Sequence, residues 1–236
     1  MPIKECIILA GGLGTRLRSE VADLPKCMAP VAGKPFLHWV ITYLQSQEIT
    51  SFVFSLGYMH EVIEQYIKEN YPFLHVQFSI ENEPLGTGGA IKLAMQLCKE
   101  ENVLVVNGDT LFETNNDHLW NEHIKNNSAC TLALKPMQDF ERYGAVMIND
   151  KHLITAFTDK KPMHKGLING GVYLINQKSF NQIDLPEKFS FEKDFLEKYL
   201  ETLNIIGIED NGYFIDIGIP EDFKKANAEI KEKYNA

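Results

Sequence analysis

The sequence predicts an α/β protein of three layers: a mostly parallel sheet, helices on both of its faces, and a smaller β-rich region in the second half. Three observations carry this. Short apolar runs rich in Val, Ile and Phe alternate with amphipathic stretches through the first half. The second half holds four closely spaced apolar runs separated by short loops. No Ser/Gly-rich linker, repeat or low-complexity segment divides the two, so the expectation is one domain over 1–236, in parts meeting at about 128/129.

The expected strands are "CIILA" (6–10), "FVFSL" (52–56), "VQFSI" (76–80) and "VLVVN" (103–107), each bounded by turns. Between them, 35–47 places Phe36, Leu37, Val40, Ile41 and Leu44 on one helical stripe. A second stripe over 88–100 uses Ile91, Ala94, Met95 and Cys98. Strand, helix, strand, helix implies parallel pairing with crossovers. The β-rich half is expected at 129–134, 143–148, 153–158 and 168–175, followed by a helix over 191–201 and a terminal helix starting near Pro220.

Composition excludes several functions. Lys and Arg number 23 against 32 Asp and Glu, a formal charge of −9, and no window carries a basic stripe, so no nucleic-acid partner and no anionic membrane surface is expected. An anionic ligand must then be held by a few local cations, a metal or backbone N–H groups. The four cysteines (Cys6, Cys27, Cys98, Cys130) form no C-x-x-C pair, which fits reduced thiols. No run approaches the roughly 20 apolar residues of a spanning helix, and a soluble cytoplasmic protein is the expectation.

The segment "LAGGLGTRLRSEVADLPK" (9–26) breaks an apolar strand into three glycines, Gly11, Gly12 and Gly14. A loop at the carboxyl end of the first strand is where an open parallel sheet gathers ligands. It is not a dinucleotide fingerprint: Leu17 occupies the third glycine's place, and about 20 residues on stands Lys34 rather than an acid. Nor is it a P-loop, since "GK" at 33–34 is followed by Pro35 and has no glycine at 28. Glycines alone would fit a turn needing positive φ. Arg16 and Lys26, bracketing them, turn the loop into a cradle for a triphosphate.

Two acids follow apolar strand-like runs: Asp109 in "VNGDTLF" (106–112) and Asp216 in "YFIDIGIPEDF" (213–223). Either alone could be a turn residue; together they are hard oxygen ligands suited to Mg²⁺. Asp210, Glu221 and Asp222 read as ordinary turn or helix N-terminal acids. "ENEPLGTGGA" (81–90) is a second glycine-rich segment opening a helix, with Thr87 as its expected cap. None of the seven histidines has metal-ligand spacing or a supported nucleophile beside it.

These motifs, in this order, resemble the sugar-phosphate nucleotidyltransferases, which make an NDP-sugar and pyrophosphate from an NTP and a sugar 1-phosphate. The resemblance covers essentially the whole chain and implies a Rossmann-like nucleotide-diphospho-sugar transferase fold whose β-rich part binds the sugar. It implies that Leu9, Ala10, Gly11, Gly12, Gly14, Thr15 and Arg16 cradle the phosphates. Glu81, Pro84, Gly86 and Thr87 belong to its nucleobase loop, and Gly108 precedes Asp109. Arg16, Lys26 and Asp109 carry the catalysis, and Asp109 and Asp216 hold Mg²⁺. On the sugar-phosphate side it implies Gly144 of "RYGAV", Lys160 of "FTDKKP", Asn169 and Gly170 of "INGGVY", and Glu192 of "FSFEKD". Two departures stand out. Cys27 occupies the place of a common second proline. Asp159 replaces a usual Glu, with Lys161 inserted before Pro162.

Within the family, "DLPKCMAPVAGKPFL", "EPLGTGGAI" and "LINGGVYL" most resemble the guanylyltransferases of D-glycero-α-D-manno-heptose 1-phosphate, which implies GTP and that sugar phosphate as substrates. Physical chemistry of the residues alone does not tell guanine from cytosine, or heptose from mannose. Mannose or glucose 1-phosphate, another NTP, and a silent sugar-nucleotide sensor stay open, as does a homodimer.

Overall fold

The computed structural model describes residues 3–12, 21 and 24–234. The chain opens with β1 (Glu5–Leu9) and, after the glycine segment, a small hairpin of β2 (Pro30–Val31) and β3 (Lys34–Pro35) leads into α1 (Phe36–Ser46). Then β4 (Ser51–Leu56), α2 (His60–Asn70), β5 (His75–Ile80), α3 (Gly86–Met95) and β6 (Asn102–Asn107) repeat the strand–helix alternation. A short β7 (Thr110–Phe112) and α4 (Asn116–Lys125) follow. The second half contributes β8 (Cys130–Phe140), β9 (Val146–Ile148), β10 (Ile154–Phe157), β11 (Met163–Asn176) and α5 (Gln177–Asn181). After a π-helical turn at Phe191–Glu197 it ends with β12 (Ile205–Glu209), β13 (Phe214–Asp216) and α6 (Pro220–Tyr234).

Seven strands form the central sheet in the order β12-β8-β11-β6-β1-β4-β5. The β1–β4, β1–β6, β4–β5 and β8–β12 pairs are parallel, and only β11 runs against its neighbours. β1 sits in the middle and reads "ECIIL", with Cys6, Ile7 and Ile8 fully buried, the continuous apolar run of a strand covered on both faces. One face packs under α1, α2 and α6 around Phe36, Ile41, Phe52 and Phe54. The other packs under α3, α5 and the π-helical turn around Ile91, Phe180, Phe191 and Phe195. The three layers and the mostly parallel sheet match the expectation.

Several boundaries differ, each for a tertiary reason. The helix expected over 88–100 begins at Gly86 and stops at Met95, where the Gln96, Leu97 and Cys98 N–H groups turn to carbonyls three residues back, and the buried Glu5 carboxylate then accepts the N–H groups of Lys99 (2.8 Å) and Glu100 (3.0 Å). The strand expected from residue 143 starts at Val146, since Arg142 and Tyr143 turn away to meet other groups. The helix expected over 191–201 keeps a π-helical turn only to Glu197, where Phe191 and Phe195 stack at 5.2 Å. The second half is less separate than expected: β8, β11 and β12 are strands of the central sheet, β9 and β10 form a small sheet apart, and β13 pairs with β7 of the first half. Helix α2 and strand β12 were not anticipated. All four cysteines are free thiols. Among the described residues no helix is long and apolar enough to cross a membrane.

Candidate active site

A cleft of about 740 Å³ opens at the carboxyl ends of β1, β4 and β6. Its floor is the end of β1: the Ala10 N–H donates to Ser55 O and the Gly108 N–H to Leu9 O, both at 2.8 Å, which extends the ladder one residue past each strand. Leu9, Ala10, Gly11, Gly12, Lys26 and Asp109 line it on one side, and Glu81, Pro84, Gly86 and Thr87 on the other. These are ten of the residues expected to hold a nucleotide. Gly108 lies behind the wall, where a Cβ would come within 2.9 Å of Leu9 O, so it allows two strand ends to close up. Gly14, Thr15 and Arg16 fall outside the described residues.

A three-membered charge cluster sits at the cleft. The Lys26 ammonium, on a side chain only 12% exposed, lies 2.5 Å from Asp109 Oδ2 and 3.5 Å from Asp216 Oδ1. Lys26 opens a tight 3-10 turn whose next two residues, Cys27 and Met28, are buried and anchor it. Burial pushes the Cys27 thiol up to about 12, so the residue in the usual proline's place is an inert apolar anchor. Asp109 follows the end of β6. Asp216 ends β13, which pairs antiparallel with β7 and sets Asp216 opposite Thr110, while the Ile217 N–H donates to Asp109 O at 3.1 Å. A backbone ladder therefore brings together two acids far apart in sequence.

Burial raises the Asp216 carboxyl above its ordinary value, and the charge of Asp109 raises it further; Lys26, the Gly218 N–H and the Tyr143 hydroxyl oppose this. Two carboxylates share one ammonium and stand at the edge of the cleft. That donor set, hard oxygens already convergent on a positive charge, fits a divalent cation completed by phosphate oxygens and water. Asp109 and Asp216 are the residues that would hold it. Among the described residues no third His, Cys, Asp or Glu joins them.

The wall expected to face the base is built around helix α3. Gly86 holds φ +73°, and a Cβ there would lie 2.5 Å from Phe189 O. Thr87 is not the helix cap that its sequence position suggests: it lies inside the first turn and accepts the Phe191 N–H at 3.0 Å, tying α3 to the π-helical turn. No side chain caps the helix, whose N-cap residue is Leu85; Glu81 braces the loop before it, its Oε2 accepting the Leu85 N–H at 2.8 Å. Burial raises its carboxyl. Its other oxygen borders Gly11.

The expected sugar-side residues divide. Asn169 donates to the Tyr173 hydroxyl at 2.9 Å and to Glu192 Oε1 at 3.5 Å, and its own oxygen accepts the Gly171 N–H at 3.1 Å. Gly170 lets the Phe112 ring approach, since a Cβ would meet it at 2.3 Å. Gly144 does the same for Thr158 O. Asn169, Gly170 and Glu192 are thus brought together, and Gly144 adjoins Tyr143, which touches Asp216. Lys160 is exposed in the loop between β10 and β11 and has no ion pair among the described residues.

Sequence reasoning missed Ser55, Gly57, Tyr58, Asn107 and Gly218 as cleft residues. Ser55, Gly57 and Tyr58 lie at or just after the end of β4, and the rule that placed the glycine loop would have found them there. It missed Arg142 and Tyr143, which lie beside Gly144 in the same quoted motif.

The family model described as nucleotidyl transferase matches residues 5–233. The chain is 51% identical over 227 residues to the D-glycero-alpha-D-manno-heptose 1-phosphate guanylyltransferase of Aneurinibacillus thermoaerophilus, covering 96% of this chain and 98% of that one. It is 45% identical to the protein of the same name from Campylobacter jejuni, over 93% and 96% of the two chains. The crystal structure of HddC from Yersinia pseudotuberculosis complexed with GMP-PN superposes with a TM-score of 0.88 at 37% identity, covering 97% of this chain and all of that one. A glycine-lined cleft at strand ends, two aspartates facing one lysine, and a match running almost from end to end lead to one conclusion: the chain belongs to the nucleotidyl transferase family.

Proposed function

We propose that the protein transfers GMP from GTP to D-glycero-α-D-manno-heptose 1-phosphate, giving GDP-heptose and pyrophosphate. The observation that carries this reading is the Lys26–Asp109–Asp216 cluster at the mouth of a glycine-lined cleft. An oxygen of the sugar phosphate forms a bond to the α-phosphorus of GTP as the bond from that phosphorus to the bridging oxygen breaks, and pyrophosphate carries away the electron pair. Both partners are anions, so the protein's work is neutralisation and in-line alignment. The backbone N–H groups at Gly11 and Gly12, with Arg16, receive the β- and γ-phosphates. Lys26 stabilises charge on the α-phosphate and the attacking phosphate, a task that requires it to leave the aspartates it bridges. Mg²⁺ held by Asp109 and Asp216 would supply charge neutralisation at the α-phosphate. No nucleophilic side chain is needed.

Glu81 supports guanine as the base. Guanine alone presents two adjacent donors, N1–H and the 2-amino group, and a carboxylate offers matching acceptors. One Glu81 oxygen is committed to Leu85, and the other borders the cleft at Gly11. On the opposite side, Gly144, Asn169, Gly170 and Glu192 receive the sugar phosphate, with Lys160 turning in from its loop. The nucleotide residues then come mainly from about 1–128 and the sugar residues from about 129–236 of one domain. The reading is of a cytoplasmic enzyme acting on two small anions, with no nucleic-acid or membrane partner.

The test is pyrophosphate release over a matrix of nucleoside triphosphates and sugar 1-phosphates, with and without Mg²⁺. The expected result is activity confined to GTP with the heptose 1-phosphate and abolished by EDTA. Full activity in EDTA, or preference for another base or sugar, overturns the corresponding part of the proposal.

A further inference from the structure

The two aspartates of the cluster are supported very differently. Asp109 follows β6, a six-residue strand inside the central sheet. Asp216 ends β13, three residues long and paired only with the equally short β7. So short a ladder does not by itself fix a carboxylate to the fraction of an ångström that ligand geometry demands.

The dipeptide Arg142-Tyr143 meets the Asp216 segment at three points. The Tyr143 hydroxyl donates to Asp216 Oδ2 at 3.3 Å. Its ring stands edge-on to Phe214, two residues before Asp216, with centroids 6.2 Å apart and planes at 77°. The Arg142 guanidinium pairs with Asp222 in the first turn of α6, so the segment is gripped on both sides of the aspartate. The two gripping residues also hold each other, the guanidinium lying 5.6 Å over the Tyr143 ring. On the other oxygen, Asp216 Oδ1 accepts the Gly218 N–H at 2.7 Å.

We propose that Arg142 and Tyr143 form a clasp that positions Asp216 for cation binding, Tyr143 acting as the hydrogen-bonded outer partner of that carboxylate. The proposal rests on the reading of Asp216 as a cation ligand. Neither residue touches the reacting atoms, so both are positioning residues. Their chain location adds a consequence. Gly144, on the sugar-phosphate side, is the next residue, so the clasp fixes that side and the cation side from one short segment. Carboxylate ligands are commonly oriented by an outer hydrogen-bond donor, and removing such a donor weakens the cation and leaves the ligand itself in place.

The experiment compares wild type with Tyr143→Phe, Arg142→Ala and Arg142→Lys. Two quantities are measured: the Mg²⁺ concentration giving half-maximal pyrophosphate release, and Mn²⁺ binding followed by electron paramagnetic resonance with a non-hydrolysable GTP analogue present. Tyr143→Phe is expected to raise the half-maximal Mg²⁺ about tenfold and to weaken Mn²⁺ binding by a similar factor. At saturating Mg²⁺ its kcat should return close to wild type. Arg142→Ala should shift the same two readouts in the same direction, with Arg142→Lys restoring most of the loss because it keeps the charge facing Asp222. An unchanged Mg²⁺ dependence and Mn²⁺ affinity in Tyr143→Phe overturns the clasp, as does a raised KM for the sugar phosphate alone, which would make Tyr143 a sugar contact. A wild-type protein that binds no Mn²⁺ and works in EDTA instead removes the underlying reading of Asp216, so the two failures are distinct.

Discussion

Lys26 Nζ lies 2.5 Å from Asp109 Oδ2, across a sequence separation of 83 residues. The contact offsets one of the cluster's two carboxylate charges before any ligand arrives and places the ammonium at the lining of the cleft. Replacing Lys26 by Met removes the one cation of the cluster. The expected result is a fall in kcat of about 10²–10³-fold, the typical loss when a preorganised charge partner is deleted. Steady-state pyrophosphate release checks it, and a loss under tenfold would take Lys26 out of the chemistry.

Glu81→Gln keeps the size of the side chain and the acceptor for Leu85 but converts one oxygen into a donor facing the cleft. A donor opposite the guanine N1–H and 2-amino group repels where the carboxylate attracts. The variant should lose about 10–100-fold in kcat/KM for GTP, the worth of a hydrogen bond to a charged group. The measurement is kcat/KM for GTP and ITP side by side: the loss should be smaller for ITP, which lacks the 2-amino group. Equal losses for both would move Glu81 from base selection to loop support.

Two glycines, Gly12 and Gly89, have opposite surroundings in space. Among the described residues a Cβ on Gly12 would meet nothing within 4 Å, whereas one on Gly89 would strike the Glu187 carbonyl oxygen at 2.2 Å. Gly12→Ala is therefore expected to melt with wild-type Tm and to lose about 10²-fold in kcat/KM by displacing the phosphates. Gly89→Ala should cost about 1–3 kcal/mol of stability through overpacking against backbone that cannot yield. Thermal unfolding and kinetics on the same two samples separate the outcomes.

His123 supplies a pH signature remote from the cleft. It is 1% exposed, its two ring nitrogens face Thr131 Oγ1 at 2.8 Å and Asn102 Oδ1 at 3.0 Å, and burial lowers its pKa from 6.5 to about 4. The folded value lies below the unfolded one, so the unfolded chain takes up a proton first as pH falls. Above about 6.5 both states are neutral and the native state carries no penalty. Between 6.5 and about 4 stability is lost, by on the order of 3 kcal/mol at the acid end. Urea denaturation of wild type and His123→Gln at pH 7, 5.5 and 4.5 tests this. The variant should start lower at pH 7 and fall less steeply; parallel curves would exclude His123 as the source.

The parts legible in the sequence were those set by local pattern. Ile7 and Ile8 on β1, Val105 and Val106 on β6, and the stripe from Phe36 to Leu44 announce a buried sheet and its covering helix because periodicity records burial directly. The glycine loop and the segment at Gly86 were legible because the end of a parallel strand is a place as well as a residue type. The meeting of Asp109 with Asp216 depends on the pairing of β7 with β13, two strands of three residues each, too short to leave a periodic trace. Family resemblance supplied that pairing where pattern could not. Glu5 was illegible for another reason: a charged residue in an apolar strand looks like an edge signal. Here it is a buried acceptor that holds the turn after α3 by capturing two N–H groups from across the fold.

Strand β11 changes step with β8 partway along. Asn169 pairs with Leu134 and Tyr173 with Leu132, so four steps along one strand match two along the other. The surplus is even, and alternation therefore survives it: Asn169 and Tyr173 keep the same side of the sheet and bond to each other, while Gly171, at φ +72°, absorbs the bend. The strand is a ruler with two extra divisions. Removing one of them would carry everything before it to the opposite face, burying Lys165 and exposing Ile168, whereas removing two would restore the parity and lose only the bend that aims Asn169. The count of residues between 169 and 173 thus decides which face the earlier part of the strand presents, whatever side chains those residues carry.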